Sequence, residues 1–417
     1  MKRVAILTQF FPPEPCAAAN RMAALAAALR DAGHEVTVVT GFANFPAYEI
    51  AAGDAGVMHR SERVDGFDIE RLYTMVPKRT RGGRVLVWLS LAVGAICYML
   101  FTKRRFDVIV VTSPPITLAL PAILGKLRHG AALVADIRDV HPDLGVKIGI
   151  WKERSLPARA VQAVADALYH ASNLVVAVTR TATQRIALRG VSSERLYLAP
   201  NGFDAVRAVP VERPPDGRFE VAFAGNYGIA TGLDVVVEAA LLLAEDSSIH
   251  FTIVGGGADL PRIQRRLAES GAPNVTLAGV LPRERALGVI ASAGAAVVPL
   301  RREIVDSLPT KLFDAFFVGT PVVLSASGEA AELVEASGGG LCVRAEDPQA
   351  LVEALRRLQS DPELARSMGA RGKQFVERHF DRARIMLGFV ARIEEIGASR
   401  TRVPPADAAV PATPLEN

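Results

Sequence analysis

The chain has 417 residues, half of them hydrophobic and 22% charged, which predicts two or three domains with large cores and excludes a chain that is disordered throughout. Its net charge of +4 hides a local excess, because the eight Lys and Arg residues between Glu70 and Asp107 are accompanied by no acid. A nucleic-acid-binding protein spreads its basic residues more widely, so no nucleic acid is expected as a partner. The three cysteines are too far apart for a disulfide framework or a zinc site, which fits a reducing compartment.

Short apolar runs alternate with segments of helical spacing in the first half of the chain. The runs that we predict to be strands are Val4–Leu7, Val36–Val39, Val108–Val111, Ala132–Ala135 and Leu174–Val178. The first run is too short for the core of a signal peptide and is therefore assigned to the fold. Strands this apolar, joined by helices, are typical of a parallel sheet covered on both faces, so the predicted fold class is α/β.

A segment rich in proline and charge, residues 206–218, interrupts this alternation and predicts a domain boundary. The apolar runs that follow predict a second α/β domain with strands at Val221–Ala224, Phe251–Val254, Val275–Ala278, Ala295–Pro299, Pro321–Leu324 and Gly340–Val343. The last helical region ends near residue 396. The tail, 398–417, is rich in Ala and Pro and is predicted to be disordered.

An uncharged apolar run of seventeen residues, 85–101, has basic residues on both sides. Trp88 and Tyr98 lie near its ends, as aromatic residues do at a membrane interface. A helix that spans a bilayer needs about 20 residues, and positive charge on both sides argues against a simple span. A membrane-associated helix that inserts without spanning is therefore favoured, with a buried core helix and a spanning helix as the alternatives.

Two polar segments in the first half follow predicted strands, where parallel sheets bind ligands. The first, FFPPEPCAAANR, carries Glu14, Asn20 and Arg21 and lacks the G-x-G-x-x-G fingerprint of a dinucleotide site. An ordinary capped loop is its alternative. The second, ADIRDVHPD, places Asp139 and His141 beside other charges, and here a ligand crevice is favoured over a solvated face.

Two glycine turns in the second half follow strands, and such turns let a backbone approach a phosphate. One contains Gly225, Asn226 and Thr231, and the other contains Gly255. Simple strand-to-helix connections use similar turns, so each is a weak signal alone. The segment DSLPTKLFD is a more specific signal of a ligand site. An ordinary helix in which Lys311 pairs with Asp314 would explain these two residues but not Asp306.

These segments together resemble family 4 of the retaining, nucleotide-sugar-dependent glycosyltransferases, which have the GT-B fold, over residues 1 to about 396. The signature of that family is two glutamates separated by seven residues around P-S-K and followed by G-x-P-V. The residues that match it in order are Asp306, Pro309, Thr310, Lys311, Asp314, Gly319 and Pro321, with aspartate at both acidic positions. Looser matches are PNGFD at 200–204, IVGGG at 253–257 and NVTLAG at 274–279.

The resemblance implies two facing Rossmann-like domains. The first, 1–203, is on the acceptor side and includes the membrane-associated helix at 85–101. The second, 204–380, binds the nucleotide-sugar, and a helix at 381–397 returns to the first domain.

Roles for individual residues follow from the same resemblance. Asp306 faces the donor sugar, Asp314 holds the ribose and Lys311 meets the leaving diphosphate. The other implied donor-binding residues are Gly225, Asn226, Thr231, Gly255, Val280 and Leu281, the other implied catalytic residues are Asp139 and His141, and the implied acceptor-binding residues are Glu14, Asn20 and Arg21. Many members carry Arg and Lys where this chain has Asn226 and Thr231, so backbone N–H groups, Lys311 and another arginine must meet the diphosphate charge. No cofactor and no metal is expected, since no Asp-x-Asp motif is present.

Within the family, the N-terminal loop, the apolar helix and the ADIRDVHPD segment are similar to the branch that builds bacterial surface polysaccharides, as WbuB-type transferases do. The expected activity is transfer of a hexosyl or N-acetylhexosaminyl group from a nucleotide-sugar, with UDP favoured, to a polyprenyl-diphosphate-linked saccharide. The expected location is the cytoplasmic face of the inner membrane, on its anionic surface. A nucleotide-sugar 2-epimerase of the same fold and a non-catalytic membrane-docked scaffold are the alternatives.

Overall fold

The computed structural model describes residues 1–45, 49–76, 83–147, 149–206, 208–211, 217–228 and 231–398. These residues form two compact units. The first comprises Met1–Asn201 together with the helix that begins at Arg382, and the second comprises Gly202–Asp381. Almost all of the tail that the sequence predicts to be disordered, from residue 399 on, lies outside the described residues, as does much of the predicted boundary at 206–218.

The first unit is built on an eight-stranded sheet. Its strands are β1 (Arg3–Leu7), β2 (Glu35–Gly41), β3 (His59–Val64), β4 (Phe67–Leu72), β5 (Val108–Ser113), β6 (Ala132–Ile137), β7 (Leu174–Ala177) and β8 (Leu196–Leu198). They lie in the order β3-β4-β2-β1-β5-β6-β7-β8, and all neighbours are parallel except the β3–β4 hairpin. The helices between them are α1 (Ala17–Asp31), α2 (Gly83–Phe101), α3 (Ala119–His129), α4 (Asp143–Lys147), α5 (Leu156–Ala171) and α6 (Arg180–Ala187).

The second unit is built on a six-stranded parallel sheet in the order β11-β10-β9-β12-β13-β14. Its strands are β9 (Phe219–Asn226), β10 (Ile249–Gly256), β11 (Val275–Gly279), β12 (Ala295–Pro299), β13 (Val322–Ser325) and β14 (Gly340–Val343). Its helices are α7 (Asp234–Leu242), α8 (Leu260–Ser270), α9 (Arg283–Ser292), α10 (Thr310–Phe317), α11 (Glu329–Ser337), α12 (Pro348–Ser360) and α13 (Pro362–His379).

The eleven predicted strands are all present, and the prediction of an α/β fold with parallel sheets is confirmed. The β3–β4 hairpin and β8 were not predicted from the sequence. Strand β3 has the sequence HRSERV and lies mostly exposed at the sheet edge, so it contains no apolar run that would identify it. Strand β8 has only three residues, all of them partly buried.

The last helix, α14 (Arg382–Ala398), belongs to the first unit, where it packs against α1. Its buried side chains include Met386 and Phe389, which join the core on one face of the eight-stranded sheet. The Lys2 amine donates hydrogen bonds to the carbonyl oxygens of Ile393, at 3.0 Å, and Glu394, at 2.8 Å. Residues from the two ends of the described chain therefore complete one core.

Helix α2 contains the apolar run 85–101, and only one of its faces lies in the core. Leu91, Ala95 and Met99 are buried in the core cluster that includes α3 and α5, while Leu89 and Val93 are exposed. No helix in the described ranges is long and apolar enough to cross a membrane. The alternative of a buried core helix therefore accounts for one face of α2. The structure alone does not support the association of α2 with a membrane, and this association stays a prediction.

A fully buried ion pair joins α1 to β6. The Arg21 guanidinium donates hydrogen bonds to the Asp136 carboxylate, at 2.7 to 3.2 Å, and to the Pro200 carbonyl oxygen, at 3.0 Å. Neither side chain of the pair is exposed to solvent. The structure therefore assigns Arg21 a structural role instead of the acceptor-binding role that the sequence predicted, because its donors are all directed into the unit.

Replacement of Arg21 by Met should destabilise the first unit by about 3–5 kcal/mol, because the Asp136 carboxylate would remain buried without its partner. Urea unfolding followed by tryptophan fluorescence measures this change, since Trp88 and Trp151 are the only two tryptophans and both lie in the first unit. The matched control is Arg3→Met, which breaks an exposed pair and should change stability little. Equal losses in the two variants would contradict the assignment.

Candidate functional site

The predicted donor-binding segments of the second unit meet at one edge of its sheet. Strands β10, β9 and β12 are neighbours, and their carboxyl ends lead into the two glycine turns and the loop before α10. The carboxyl ends of parallel strands share an edge, which is where ligands bind in α/β sheets.

The Lys311 amine lies at this edge, in the first turn of α10. Its Nζ atom is 4.5 Å from the centroid of the Phe223 ring. A β-carbon at Gly225 would be 3.2 Å from both Cε and Nζ of Lys311, so glycine at this position lets the lysine lie against the backbone. Burial lowers the pKa of Lys311 to about 7. Within the described part of the chain, this amine has no hydrogen bond and no ion pair.

The pairing of Lys311 with Asp314, which was the alternative to a functional motif, is not formed. Asp314 instead accepts a hydrogen bond of 2.7 Å from Nη2 of Arg283, at the start of α9. The same Arg283 atom lies 3.9 Å from the Asp204 carboxylate. The sequence analysis missed Arg283, although it follows Val280 and Leu281, because a contact between two helices leaves no local signal.

Asp306 lies half-buried in the loop between β12 and α10. The Glu329 N–H donates a hydrogen bond of 3.1 Å to the carbonyl oxygen of Val305, which ties this loop to the start of α11. The structure thus places Asp306 before α10 and Asp314 within it, as the motif requires.

The two glycine turns lie against one another. A β-carbon at Gly255 would be only 1.9 Å from the Gly225 carbonyl oxygen, so no side chain fits there. The Thr231 hydroxyl donates to the Asn226 carbonyl oxygen at 2.9 Å, which closes the first turn. Val280 is 68% exposed, and one of its methyl groups would be 3.1 Å from a β-carbon at Gly256, the residue after Gly255. The structure therefore brings these predicted residues together, while Leu281, the next in sequence, is half-buried.

Arg301 is a second residue that the sequence analysis did not single out. A β-carbon at Gly232, at the end of the first turn, would be 3.2 Å from the Arg301 backbone N and 3.4 Å from its Cγ. Among the residues that the structure describes, its guanidinium makes long ion pairs, of 3.5 Å to Glu303 and 3.7 Å to Glu346. Arg301 is therefore a cation beside the first glycine turn, where this chain has Asn226 and Thr231 in place of the Arg and Lys that many members of the family carry.

In the first unit, the Glu14 carboxylate accepts hydrogen bonds from the backbone N–H groups of Phe11, Asn44 and Phe45, at 3.0 to 3.3 Å. Burial raises the pKa of Glu14, against the effect of these bonds. This carboxylate is almost inaccessible and holds its loop together, so the structure favours the capped-loop alternative for Glu14. Asn20 is half-buried in α1, and its acceptor-binding role stays a prediction.

Asp139 and His141 lie side by side in the segment after β6. Nδ1 of His141 is 3.1 Å from the Asp139 carbonyl oxygen, and Arg189 donates to the His141 carbonyl oxygen at 2.7 Å. Burial lowers the pKa of His141, which favours the neutral form of its imidazole. The catalytic roles of both residues stay predictions.

Among the residues that the structure describes, no three His, Cys, Asp or Glu side chains are grouped so that they could hold a metal ion. The expectation that the reaction needs neither a metal nor a cofactor stays a prediction.

Known families and proteins match the chain over most of its length. Residues 17–202 match the family described as Glycosyl transferase 4-like domain, and residues 207–375 match Glycosyl transferases group 1. WcaI of Escherichia coli K12, described as a colanic acid biosynthesis glycosyl transferase, is 24% identical over 379 residues, 86% of this chain and 91% of its own.

Two solved structures share the fold. Sucrose-phosphate synthase of Thermosynechococcus elongatus has a TM-score of 0.76 at 20% identity, over 96% of this chain and all of the other. HepE of Anabaena, solved in complex with UDP-glucose, has a TM-score of 0.68 at 15% identity, over 95% of this chain and all of the other.

The fold and these comparisons define a glycosyltransferase of the GT-B class. The chain carries a glycosyl transferase 4-like domain followed by a glycosyl transferases group 1 domain, and it is similar to transferases of polysaccharide biosynthesis.

The amine of Lys311 should titrate near pH 7 in the free protein, because burial disfavours its ammonium form. NMR spectra of protein labelled with ¹³C at lysine Cε measure the titration, and loss of the resonance in Lys311→Met assigns it. Titration near the ordinary value of 10.5 would show that the amine is solvated in solution.

Proposed function

We propose that the protein is a retaining glycosyltransferase that moves a sugar from a nucleoside-diphosphate sugar, with UDP as the favoured nucleotide, to a saccharide carried on polyprenyl diphosphate. The product belongs to a bacterial surface polysaccharide such as O-antigen, capsule or exopolysaccharide. The observation that carries the proposal is the Lys311 amine, which is half-buried, packed against the Gly225 turn and without an ion pair in the described chain. A diphosphate bound there would supply the missing negative charge.

Binding of the diphosphate restores the charge of Lys311, because an adjacent anion favours the ammonium form. The ammonium and the N–H groups of the turn then stabilise the negative charge that develops as the diphosphate leaves, without reorganisation during the reaction. In a front-face displacement, the bond from the anomeric carbon to the diphosphate oxygen breaks. The acceptor hydroxyl oxygen forms its bond on the same face, and its proton passes to the leaving oxygen. Asp306 stabilises the positive charge on the sugar.

We base the lipid-linked acceptor and the location at the cytoplasmic face of the inner membrane on the exposed face of α2. Val85, Leu89 and Val93 are exposed on this helix, and the basic segment Lys103–Arg105 follows it. Apolar side chains beside basic ones bind the surface of an anionic bilayer. Flotation with vesicles that contain anionic lipid, compared with neutral vesicles, tests this location.

Incubation with labelled UDP-sugars and a bacterial membrane extract separates the proposal from its rivals. Label in the lipid phase means a transferase, and an altered free sugar nucleotide without an acceptor means a 2-epimerase. No change with any donor leaves a scaffold. A 2-epimerase would have no use for the exposed apolar face of α2. A non-catalytic scaffold would have no use for the Lys311 site.

Replacement of Asp306 by Asn should lower kcat by about 100-fold and leave the Kd for UDP within a few-fold. The reason is that a group facing the sugar acts mainly in the transition state. Steady-state kinetics and calorimetry measure the two quantities. The control is Glu353→Gln, an exposed carboxylate on α12, which should change neither. Near-normal turnover of Asp306→Asn would remove this residue from the reaction.

Replacement of Arg301 by Gln should weaken the binding of UDP by roughly ten- to a hundredfold and leave the binding of uridine unchanged, since we propose that Arg301 donates to the diphosphate. The neighbouring Arg302→Gln is the matched control, because Arg302 is also paired at long distance with Glu346 and is more exposed. An equal loss of UDP affinity in the two variants would indicate long-range electrostatic attraction instead of a direct contact between Arg301 and the diphosphate.

A further inference from the structure

An apolar groove lies in the first unit between helix α2 and the β3–β4 hairpin. Its volume is about 940 Å³, at the upper end of the range for sites that bind small molecules. The apolar side chains that line it include Met58, Met75, Leu86, Leu89, Val93 and Phe101. Met58 is 70%, Val93 61% and Phe101 80% exposed, so the groove leaves large apolar surfaces in contact with water.

The groove is preformed by the packing of α2 against the sheet. Leu91, Ala95 and Met99 hold the opposite face of the helix in the core. A β-carbon at Gly94 would be 3.4 Å from the Leu72 side chain, so glycine here lets α2 lie close to β4.

One end of the groove is cationic. Lys103 lines it and is exposed, and within the described chain its amine has no ion pair. The Glu70 carboxylate also lines the groove, but it is nearly inaccessible. Its oxygens already contact the Ser61 hydroxyl and the His59 ring, both at 2.6 Å, and Arg104 at 3.7 Å. An anionic group at this end of the groove would therefore meet the amine of Lys103.

We infer that the groove binds the isoprenoid chain of one lipid molecule, whose phosphate groups lie against Lys103. The inference rests on the proposed function, because the acceptor of that reaction is such a lipid. A second copy of the protein is the alternative occupant, and the dependence of protection on protein concentration tests it below. Contact of the outer face of α2 with a bilayer surface, as proposed above, leaves the groove itself, whose lining includes Ser90 and Gly94, open to one lipid chain.

Cys97 lines the groove and is exposed, so its alkylation reports whether the groove is occupied. The other two cysteines lie outside it and are partly buried, and burial raises the pKa of both thiols. Geranylgeranyl diphosphate, added without donor, should slow the reaction of Cys97 with N-ethylmaleimide at least tenfold, as measured by peptide mass spectrometry. Inorganic diphosphate should give no protection, because it lacks the chain.

Val93→Asp should abolish this protection, because a carboxylate in the wall repels both the chain and the phosphates. Leu188→Asp is the matched control, since Leu188 is 88% exposed in the same unit and does not line the groove. Met58→Asp changes the opposite wall and replaces Val93→Asp if that variant does not fold, as judged by tryptophan fluorescence.

Three results would overturn the inference: no protection by geranylgeranyl diphosphate, equal protection in the wall variants, or protection that needs intact vesicles. Protection that appears without lipid as the protein concentration rises would mean a second copy and would also overturn it. The footprint needs no sugar transfer, so its outcome is separate from that of the proposed function. Protection without transferase activity would support the groove and count against the reaction.

Discussion

The partly desolvated amine of Lys311 is the constraint on which the candidate donor site depends. Partial burial of a lysine costs free energy unless an anion accompanies it, and within the described chain this amine forms no ion pair. The surrounding backbone permits this packing. Gly225 has no side chain and so leaves room for the lysine, and Gly255 lets the two glycine turns lie against one another. The charge of the Lys311 amine therefore depends on the ligand, because an anion bound beside it favours the ammonium form.

Polar residues at the carboxyl edge of a parallel sheet divide into two kinds in this chain. Arg21 and Glu14 are almost fully buried, with their hydrogen bonds satisfied inside the first unit. Asn226 is exposed, and the Lys311 amine is half-buried, with no hydrogen bond and no ion pair in the described chain. The same position in the fold therefore serves stability in one unit and is available to a ligand in the other. The two kinds of residue differ in whether their polar groups have hydrogen-bond partners inside the unit, more than in where they lie in the fold.

Sequence reasoning succeeded where the signal is local. Apolar runs identified eleven strands. It did not find the β3–β4 hairpin, whose outer strand is polar, and it did not separate the two faces of α2, which depend on what packs beside the helix. Arg283 and Arg301 were missed because their contacts, with Asp314 and Gly232, join segments that are distant in sequence.

The return of α14 to the first unit has a consequence for biosynthesis. The face of the eight-stranded sheet that carries Val4 and Ile6 is completed by Met386 and Phe389. At about 5–20 residues per second, the ribosome makes the second unit in roughly 10 to 40 s, and during that time the first unit has no α14. The nascent chain therefore exposes an apolar surface while the second unit folds, and a chaperone that binds such surfaces would have this interval in which to act.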